Sequence, residues 1–180
     1  HGEYEDVYWG DFEQYQKAMQ YFVQGMKLEN PRTKVVRNCP YDCGICPNHR
    51  SRTLLAIIDL TNRCNLNCPI CFANANNPNS PVYEVTTQQA KNMINNLVSN
   101  KPLPPSALQF SGGEPTLRDD LPELVRYARQ NGIDHVEVNT NGLRLVKDIP
   151  YFQRLVEAGM STLYLSFEGV TAEPYLKTKG

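Results

Sequence analysis

Along residues 54–180, short runs of hydrophobic residues alternate with segments in which hydrophobic residues recur at helical spacing. The runs predict four strands, because segments of this length bounded by polar or glycine-containing turns are typical of strands. The predicted strands are "LLAIIDLT" (54–61), "ALQFS" (107–111), "HVEVNTNG" (135–142) and "TLYLSFEG" (162–169). The first is a continuous apolar run, which favours a strand buried on both faces of its sheet.

Three segments between these strands have the apolar spacing of amphipathic helices. They are "TTQQAKNMINNLVSN" (86–100), "DLPELVRYARQNG" (120–132) and "DIPYFQRLVEAG" (148–159), and a fourth helix begins within "TAEPYLKTKG" (171–180). Thr86 and Gln89 have capping-box spacing, and Gly132 and Gly159 stand where helices commonly end. Alternating strands and helices predict a parallel α/β sheet, as in a whole or partial (β/α) barrel. Functional side chains then belong at the carboxyl ends of the strands.

The N-terminal residues have a different pattern. Residues 11–27 predict a helix with Asp11 as its N-cap, and we interpret its apolar stripe as a packing face. The stripe comprises Phe12, Tyr15, Met19, Phe22, Val23 and Met26. Turns are predicted from residue 31 to residue 51. We therefore predict a helical, cysteine-containing segment at 1–51 and a (β/α) domain at 52–180, of which the chain holds the front part.

Composition and charge exclude several classes of protein. A net charge of −1 and a pI near 6.3 do not suit a nucleic-acid-binding protein, which is usually basic. No apolar run approaches the roughly 20 residues that span a bilayer, and no secretory signal is recognised, so we expect a cytoplasmic protein. The six cysteines are confined to residues 39–71, whereas disulfide frameworks suit small, loop-rich chains. Reduced, metal-binding cysteines are the better interpretation.

The cysteines form two copies of one triplet with the spacing C-x3-C-x2-C. The copies are Cys39, Cys43 and Cys46, and Cys64, Cys68 and Cys71. Only the second copy directly follows a predicted strand. Three thiolates in one short loop can hold three irons of a cubane cluster and leave the fourth iron open to a reactant. Zinc sites favour pairs of cysteines, or pairs combined with histidines, so this spacing favours an iron–sulfur cluster.

In these features the chain resembles the radical S-adenosylmethionine (SAM) enzymes. The resemblance covers residues 52–180 and rests on the second triplet and on motifs that close the next three strands, "SGGEP" (111–115), "NTNG" (139–142) and "SFEG" (166–169). It implies the N-terminal part of a parallel (β/α)6 barrel, with Cys64, Cys68 and Cys71 as the catalytic ligands of a [4Fe–4S] cluster that binds SAM. The residues implied to contact SAM are Ile70, Gly112, Gly113, Glu114, Asn139, Asn141, Ser166 and Glu168.

Each motif also has a structural interpretation when it is taken alone. The two glycines could form a tight turn, "NTNG" is a common turn sequence, and Glu114 could cap the following helix. Ile70 departs from the family, which often has an aromatic residue at that place, and Phe72 could compensate. The register of the motifs, each at the same end of a successive strand, favours the catalytic interpretation.

The resemblance also implies a chemistry and a partner. One electron from the reduced cluster cleaves SAM to methionine and a 5′-deoxyadenosyl radical, which abstracts hydrogen from an unactivated carbon. A low-potential donor such as a ferredoxin or a flavodoxin would supply the electron. For Cys39, Cys43 and Cys46 we predict a second iron–sulfur cluster with His49 as a candidate fourth ligand, and a structural zinc ion is the alternative.

The segments "CPYDCGICPNHRSRT" (39–53) and "LTNRCNLNCPICFA" (60–73) resemble a narrower group, the class D radical SAM methylases, which include the archaeal tetraether lipid synthases. That resemblance implies carbon–carbon bond formation between isoprenoid chains, and hence lipid biosynthesis with a substrate at the membrane surface. Two alternatives stay open. One is a methylase, a transferase acting on a pterin or another small substrate, and the other is a zinc-stapled binding module without catalysis. The N-terminal stripe could touch a membrane, but packing on the barrel is favoured because its polar face has few basic residues.

Overall fold

The computed structural model describes residues 5, 10–20, 27–42 and 45–179. The chain divides into two compact units, His1–Arg52 and Thr53–Gly180. No helix within these described ranges is both long enough and apolar enough to cross a lipid bilayer.

The N-terminal unit contains helix α1 (Phe12–Gln20) followed by turns. Asp11 caps the helix as predicted, because the Gln14 N–H donates to Asp11 Oδ1 at 3.0 Å. The predicted packing face is not confirmed, since α1 buries none of its residues and Phe12 is 69% exposed. Val36 and Tyr41 are likewise exposed, and among the described residues of this unit the buried hydrophobic ones are Leu28 and Cys46. Phe22, Val23 and Met26 of the predicted stripe lie outside the described residues.

The C-terminal unit is a four-stranded parallel sheet in the order β1-β2-β3-β4, which confirms the predicted α/β class. The strands are β1 (Leu55–Asp59), β2 (Ala107–Ser111), β3 (His135–Thr140) and β4 (Thr162–Leu165). The helices of this unit are α2 (Thr87–Val98), α3 (Leu121–Gln130), α4 (Leu143–Lys147), α5 (Ile149–Glu157) and α6 (Ala172–Thr178). A 3₁₀ turn at Pro115–Leu117 and the short helix α4 were not predicted.

Local sequence signals fix the helix ends. Thr86 Oγ1 accepts from the Gln89 N–H at 3.2 Å and the Gln89 side chain accepts from the Thr86 N–H at 2.9 Å, which is a complete capping box. Gly132 has φ +93°, and the following Ile133 N–H donates back to the Ala128 carbonyl at 3.1 Å. Left-handed backbone after the last helical turn is the conformation that favours glycine there.

The hydrophobic core lies between one face of the sheet and the helices that cross over it. The sheet contributes Ala56, Ile58, Leu108, Phe110, Val136 and Val138. The helices contribute residues such as Ala90 and Ile94 of α2, Leu124 of α3 and Leu155 of α5. Because these positions alternate along each strand, the same pleat that builds the core directs the intervening residues to the other face.

On the other face the side chains of β1 are exposed, so the predicted burial of β1 on both faces is wrong. Leu55 and Ile57 are 43% and 59% exposed. In the register of the sheet, Ile57 pairs with Gln109 and Gln109 pairs with Glu137. Gln109 Nε2 also donates to the Glu137 carboxylate. The apolar run predicted β1 correctly, but β1 is an edge strand of the described sheet and has a neighbouring strand on one side only.

Candidate functional site

The carboxyl ends of the strands and the loop after β1 enclose one pocket, as expected for this fold. Its lining includes every residue predicted to hold the cluster or SAM except Glu168. Those residues are Cys64, Cys68, Ile70, Cys71, Gly112, Gly113, Glu114, Asn139, Asn141 and Ser166. Glu168 instead forms an ion pair with Lys179, whose Nζ lies 2.8 Å from Glu168 Oε1, and Lys179 is itself part of the lining.

The three cysteines of the second triplet share the pocket as free thiols. Burial raises the pKa of the Cys64 thiol, and a hydrogen bond from the Leu66 N–H to Cys64 Sγ at 3.4 Å opposes that rise. Negative charge on Glu114, Cys68 and Cys71 raises this pKa further. A bound cation or cluster would offset that repulsion, so the donor set suits a site that carries positive charge.

Within the described ranges, no three His, Cys, Asp or Glu side chains gather around the position of a single metal ion. A cubane cluster needs a wider arrangement, because each thiolate binds a different iron. Three thiols that line one pocket can supply one ligand to each of three irons, which fits a [4Fe–4S] cluster.

The two glycines of "SGGEP" allow β2 to approach the loop that carries the cysteines. The Gly113 N–H donates to the Thr61 carbonyl at 2.7 Å, and the Glu114 N–H donates to the Arg63 carbonyl at 2.8 Å. A Cβ at Gly112 would lie 2.3 Å from the Thr61 carbonyl oxygen, and one at Gly113 would lie 2.2 Å from the Arg63 carbonyl oxygen. Only glycine permits this backbone contact.

The Glu114 carboxylate joins the ends of β2 and β3. It is 1% exposed and accepts four hydrogen bonds. Oε1 accepts from the Thr116 N–H at 3.0 Å, the Thr116 hydroxyl at 2.5 Å and the Thr140 hydroxyl at 2.7 Å. Oε2 accepts from the Asn141 N–H at 2.8 Å. The capping interpretation is thus correct, because this side chain caps the 3₁₀ turn, and Oε2 can accept one further hydrogen bond.

The asparagines of "NTNG" connect the strand ends to one another and to the loop. Asn139 Nδ2 donates to Ser111 Oγ at 3.2 Å, and Asn141 Nδ2 donates to Asn65 Oδ1 at 2.8 Å. Ile70 and Phe72 are 91% and 92% exposed and both line the pocket, so neither belongs to the core.

The first triplet lies in the turns of the N-terminal unit. Cys39, Cys46 and His49 line a common pocket there, whereas Cys43 lies outside the described residues. The neighbouring Asp42 Oδ2 accepts from three backbone N–H groups, at residues 36–38. These bonds, of which that from residue 36 is the strongest cause, hold the pKa of the Asp42 carboxyl below its ordinary value. The turn is therefore ordered around a carboxylate and not around the cysteines alone.

Sequence reasoning did not identify several residues that organise the site. Thr140 binds Glu114, Asn65 binds Asn141, and Lys179 lines the pocket. Asn76 contacts the backbone of the cysteine loop from ten to twelve residues away. The frequent asparagines in residues 62–79 were the available signal for Asn65 and Asn76, because this residue type often bonds to nearby backbone.

Comparison with known proteins identifies the family. The model of the radical SAM superfamily matches residues 58–179, which include the second triplet and all three later motifs. The chain belongs to the radical SAM superfamily. This membership implies a [4Fe–4S] cluster and SAM as cofactors.

The chain is similar to two curated proteins along much of its length. The chain is 55% identical over 181 residues to a 7,8-dihydro-6-hydroxymethylpterin dimethyltransferase of Methanocaldococcus jannaschii, covering 100% of this chain and 35% of the relative. It is 37% identical over 117 residues to an Fe-coproporphyrin III synthase of Methanosarcina barkeri, covering 64% of this chain and 27% of the relative. The chain thus spans about a third of the length of these relatives or less.

A solved radical SAM structure supports the fold. The crystal structure of methylornithine synthase superimposes with a TM-score of 0.54 at 19% identity, covering 71% of this chain and 36% of that one. Such low identity supports the fold alone, and the shared fold agrees with the parallel sheet described above.

Proposed function

We propose that this chain is the SAM-binding part of a radical SAM methylase that transfers methyl groups to a pterin-like substrate. The observation that carries the proposal is the 55% identity, along the whole chain, to an enzyme named as a pterin dimethyltransferase. Joining of isoprenoid lipid chains by a carbon–carbon bond, the reaction of the tetraether lipid synthases, gains no support from the relatives.

We propose a role for each group of residues that lines the pocket. Cys64, Cys68 and Cys71 are proposed to hold the cluster, which when bound supplies the electron that cleaves SAM. The amino group of SAM is a hydrogen-bond donor and needs acceptors. Glu114 Oε2 accepts a single bond, from the Asn141 N–H, so we assign that contact to Glu114 Oε2 together with the backbone carbonyls of Gly112 and Gly113, residues that line the same pocket.

For the first triplet we retain the proposal of a second iron–sulfur cluster at Cys39, Cys43 and Cys46. His49 shares the pocket with Cys39 and Cys46 and stays a candidate fourth ligand, with zinc as the alternative metal. A ferredoxin or flavodoxin is the proposed electron donor. Contact of the N-terminal helix with a membrane stays a prediction.

The test is a methylation assay on the full-length protein, reconstituted with iron and sulfide without oxygen and supplied with SAM and a strong reductant. The probe substrate is 7,8-dihydro-6-hydroxymethylpterin, and mass spectrometry of the product should show the gain of methyl groups. Isotopic label in the methyl group of SAM, or in a reduced folate in a parallel reaction, identifies the methyl source. A matched reaction with an isoprenoid lipid should give no joined product.

Cys68→Ser is the control for chemistry that depends on the cluster, and it should abolish methylation. Formation of 5′-deoxyadenosine in the absence of any pterin product would retain the radical SAM assignment and reject the pterin.

A further inference from the structure

Asn76 holds the backbone on both sides of Cys64. The Cys64 N–H donates to Asn76 Oδ1 at 3.1 Å, and Asn76 Nδ2 donates to the Cys64 carbonyl at 2.8 Å and to the Leu66 carbonyl at 2.9 Å. The side chain has one acceptor oxygen and two donor hydrogens, and all three bind the backbone of Cys64 and Leu66. A single asparagine therefore brackets the start of the cysteine loop.

The backbone of Asn76 is itself fixed. Its φ is +58°, in the left-handed region that asparagine tolerates better than most residues. Its N–H donates to the Asn62 carbonyl at 3.2 Å. Asn62 in turn exchanges hydrogen bonds with Tyr83, since the Asn62 N–H donates to the Tyr83 carbonyl at 3.0 Å and the Tyr83 N–H donates to Asn62 Oδ1 at 2.8 Å. The bracket is thus anchored to the segment that continues directly from β1.

The bracketed turn carries a hydrogen bond to sulfur. The Leu66 N–H points at Cys64 Sγ at 3.4 Å, and Asn76 fixes the carbonyls of both Cys64 and Leu66. Hydrogen bonds to thiolate sulfurs are among the factors that set cluster reduction potentials. Such a bond stabilises the more negative, reduced state more than the oxidised state and therefore raises the potential.

We propose that Asn76 is a positioning residue that holds the cysteine loop and, through the Leu66 N–H, raises the reduction potential of the cluster. Asn76 is not among the residues that line the pocket. The inference rests on Cys64, Cys68 and Cys71 as the cluster ligands, which belong to the proposed function, but not on the identity of the substrate. A failure of pterin methylation therefore leaves it standing.

The test measures the midpoint potential of the cluster in the full-length, anaerobically reconstituted protein. Electron paramagnetic resonance follows the titration, and the signal that changes on addition of SAM identifies the relevant cluster. Asn76→Gly removes the side chain while glycine keeps the left-handed backbone. Asn74→Gly is the matched control, because Asn74 lies in the same segment with φ +50° and its Oδ1 accepts from Asn77 Nδ2 at 3.1 Å.

We expect Asn76→Gly to shift the potential to a more negative value and Asn74→Gly to leave it unchanged. A second pair, Asn76→Asp and Asn74→Asp, adds the same charge at both positions, but only the first loses the two donors to the loop. The shift should be larger in Asn76→Asp. The proposal is overturned if the two Gly variants have equal reduction potentials and the two Asp variants do as well. Asn76→Gly could bind no iron and still show a normal far-ultraviolet circular dichroism spectrum. Together with normal iron loading of Asn74→Gly, that result supports the holding role of Asn76. The two Asp variants then decide the effect on the reduction potential.

Discussion

Two cysteine triplets with identical spacing lie in different surroundings in this chain. The loop with Cys64, Cys68 and Cys71 follows β1, is joined to β2 through the backbone of Gly113, and shares a pocket with three further strand ends. The triplet that begins at Cys39 lies in turns of the N-terminal unit, after a helix that buries none of its residues. Spacing selects how many metal ligands a loop offers, whereas the neighbouring strand ends provide room and polar groups for a second molecule such as SAM.

The most severe change tests which triplet cleaves SAM. Cys68→Ser is expected to abolish formation of 5′-deoxyadenosine, because the cluster loses one of its three thiolates. Cys46→Ser is expected to lower iron content while SAM cleavage persists. Chromatography of the reduced reaction mixture measures 5′-deoxyadenosine in both variants, and a colorimetric assay measures iron. Persistent SAM cleavage in Cys68→Ser, with loss of cleavage in Cys46→Ser, would contradict the roles given to the two triplets.

The buried carboxylate should contribute the largest share of stability near the second triplet. Glu114→Gln replaces an oxygen that accepts hydrogen bonds by an amide donor that faces other donors, which costs about 3 kcal/mol of unfolding free energy. Glu173→Gln is the matched control, since Glu173 is exposed and pairs with Lys177 at 2.7 Å. That change should cost less than about 0.5 kcal/mol. Urea unfolding measures both, and similar losses in the two variants contradict the role given to Glu114.

Substitutions at Gly113 and Gly10 test how tightly the backbone is packed at each of these two positions. Gly113→Ala forces a methyl group against the Arg63 carbonyl and should cost about 2 kcal/mol. At Gly10, in the N-terminal unit, an added Cβ meets nothing within 4 Å, so Gly10→Ala should change stability by less than about 0.5 kcal/mol. Thermal unfolding with and without SAM measures the difference. Unchanged stability in Gly113→Ala would show that the loop does not pack on β2 as described.

The smallest expected effect separates general stability from support of the site. Thr86→Ala removes the cap of α2 and should cost about 1 kcal/mol without changing iron content. Thr171→Ala at the start of α6 is the control, because Thr171 makes no capping hydrogen bond there. Loss of iron in Thr86→Ala, measured by a colorimetric iron assay, would argue that any destabilisation empties the site.

Sequence patterns predicted the fold well where the determinants are local. The bounds of β2, the capping box at Thr86 and the glycine at position 132 were all predicted, because each depends on residues a few positions apart. The burial of β1 was predicted wrongly, since it depends on the position of β1 at the edge of the described sheet, which no local pattern reveals.

The sequence predicted which residues form the site but not the hydrogen bonds between them. The motifs placed Glu114 and Asn141 at the same end of the sheet, and the structure brings them together there. The bonds of Glu114 to Thr140 and of Asn141 to Asn65 span 26 and 76 residues of sequence, so only the folded sheet creates them. The support given by Asn76 was missed because its side chain contacts backbone, which leaves no pattern of partner residues in the sequence.

The central claim is that the cluster able to bind SAM is the one held at the end of β1. The most direct measurement uses full-length protein with Cys39, Cys43 and Cys46 all changed to Ser, reconstituted without oxygen and reduced. We predict one remaining [4Fe–4S] signal in electron paramagnetic resonance, and a change in its shape when SAM is added. A remaining signal that ignores SAM, or the absence of any cluster signal, would contradict the claim.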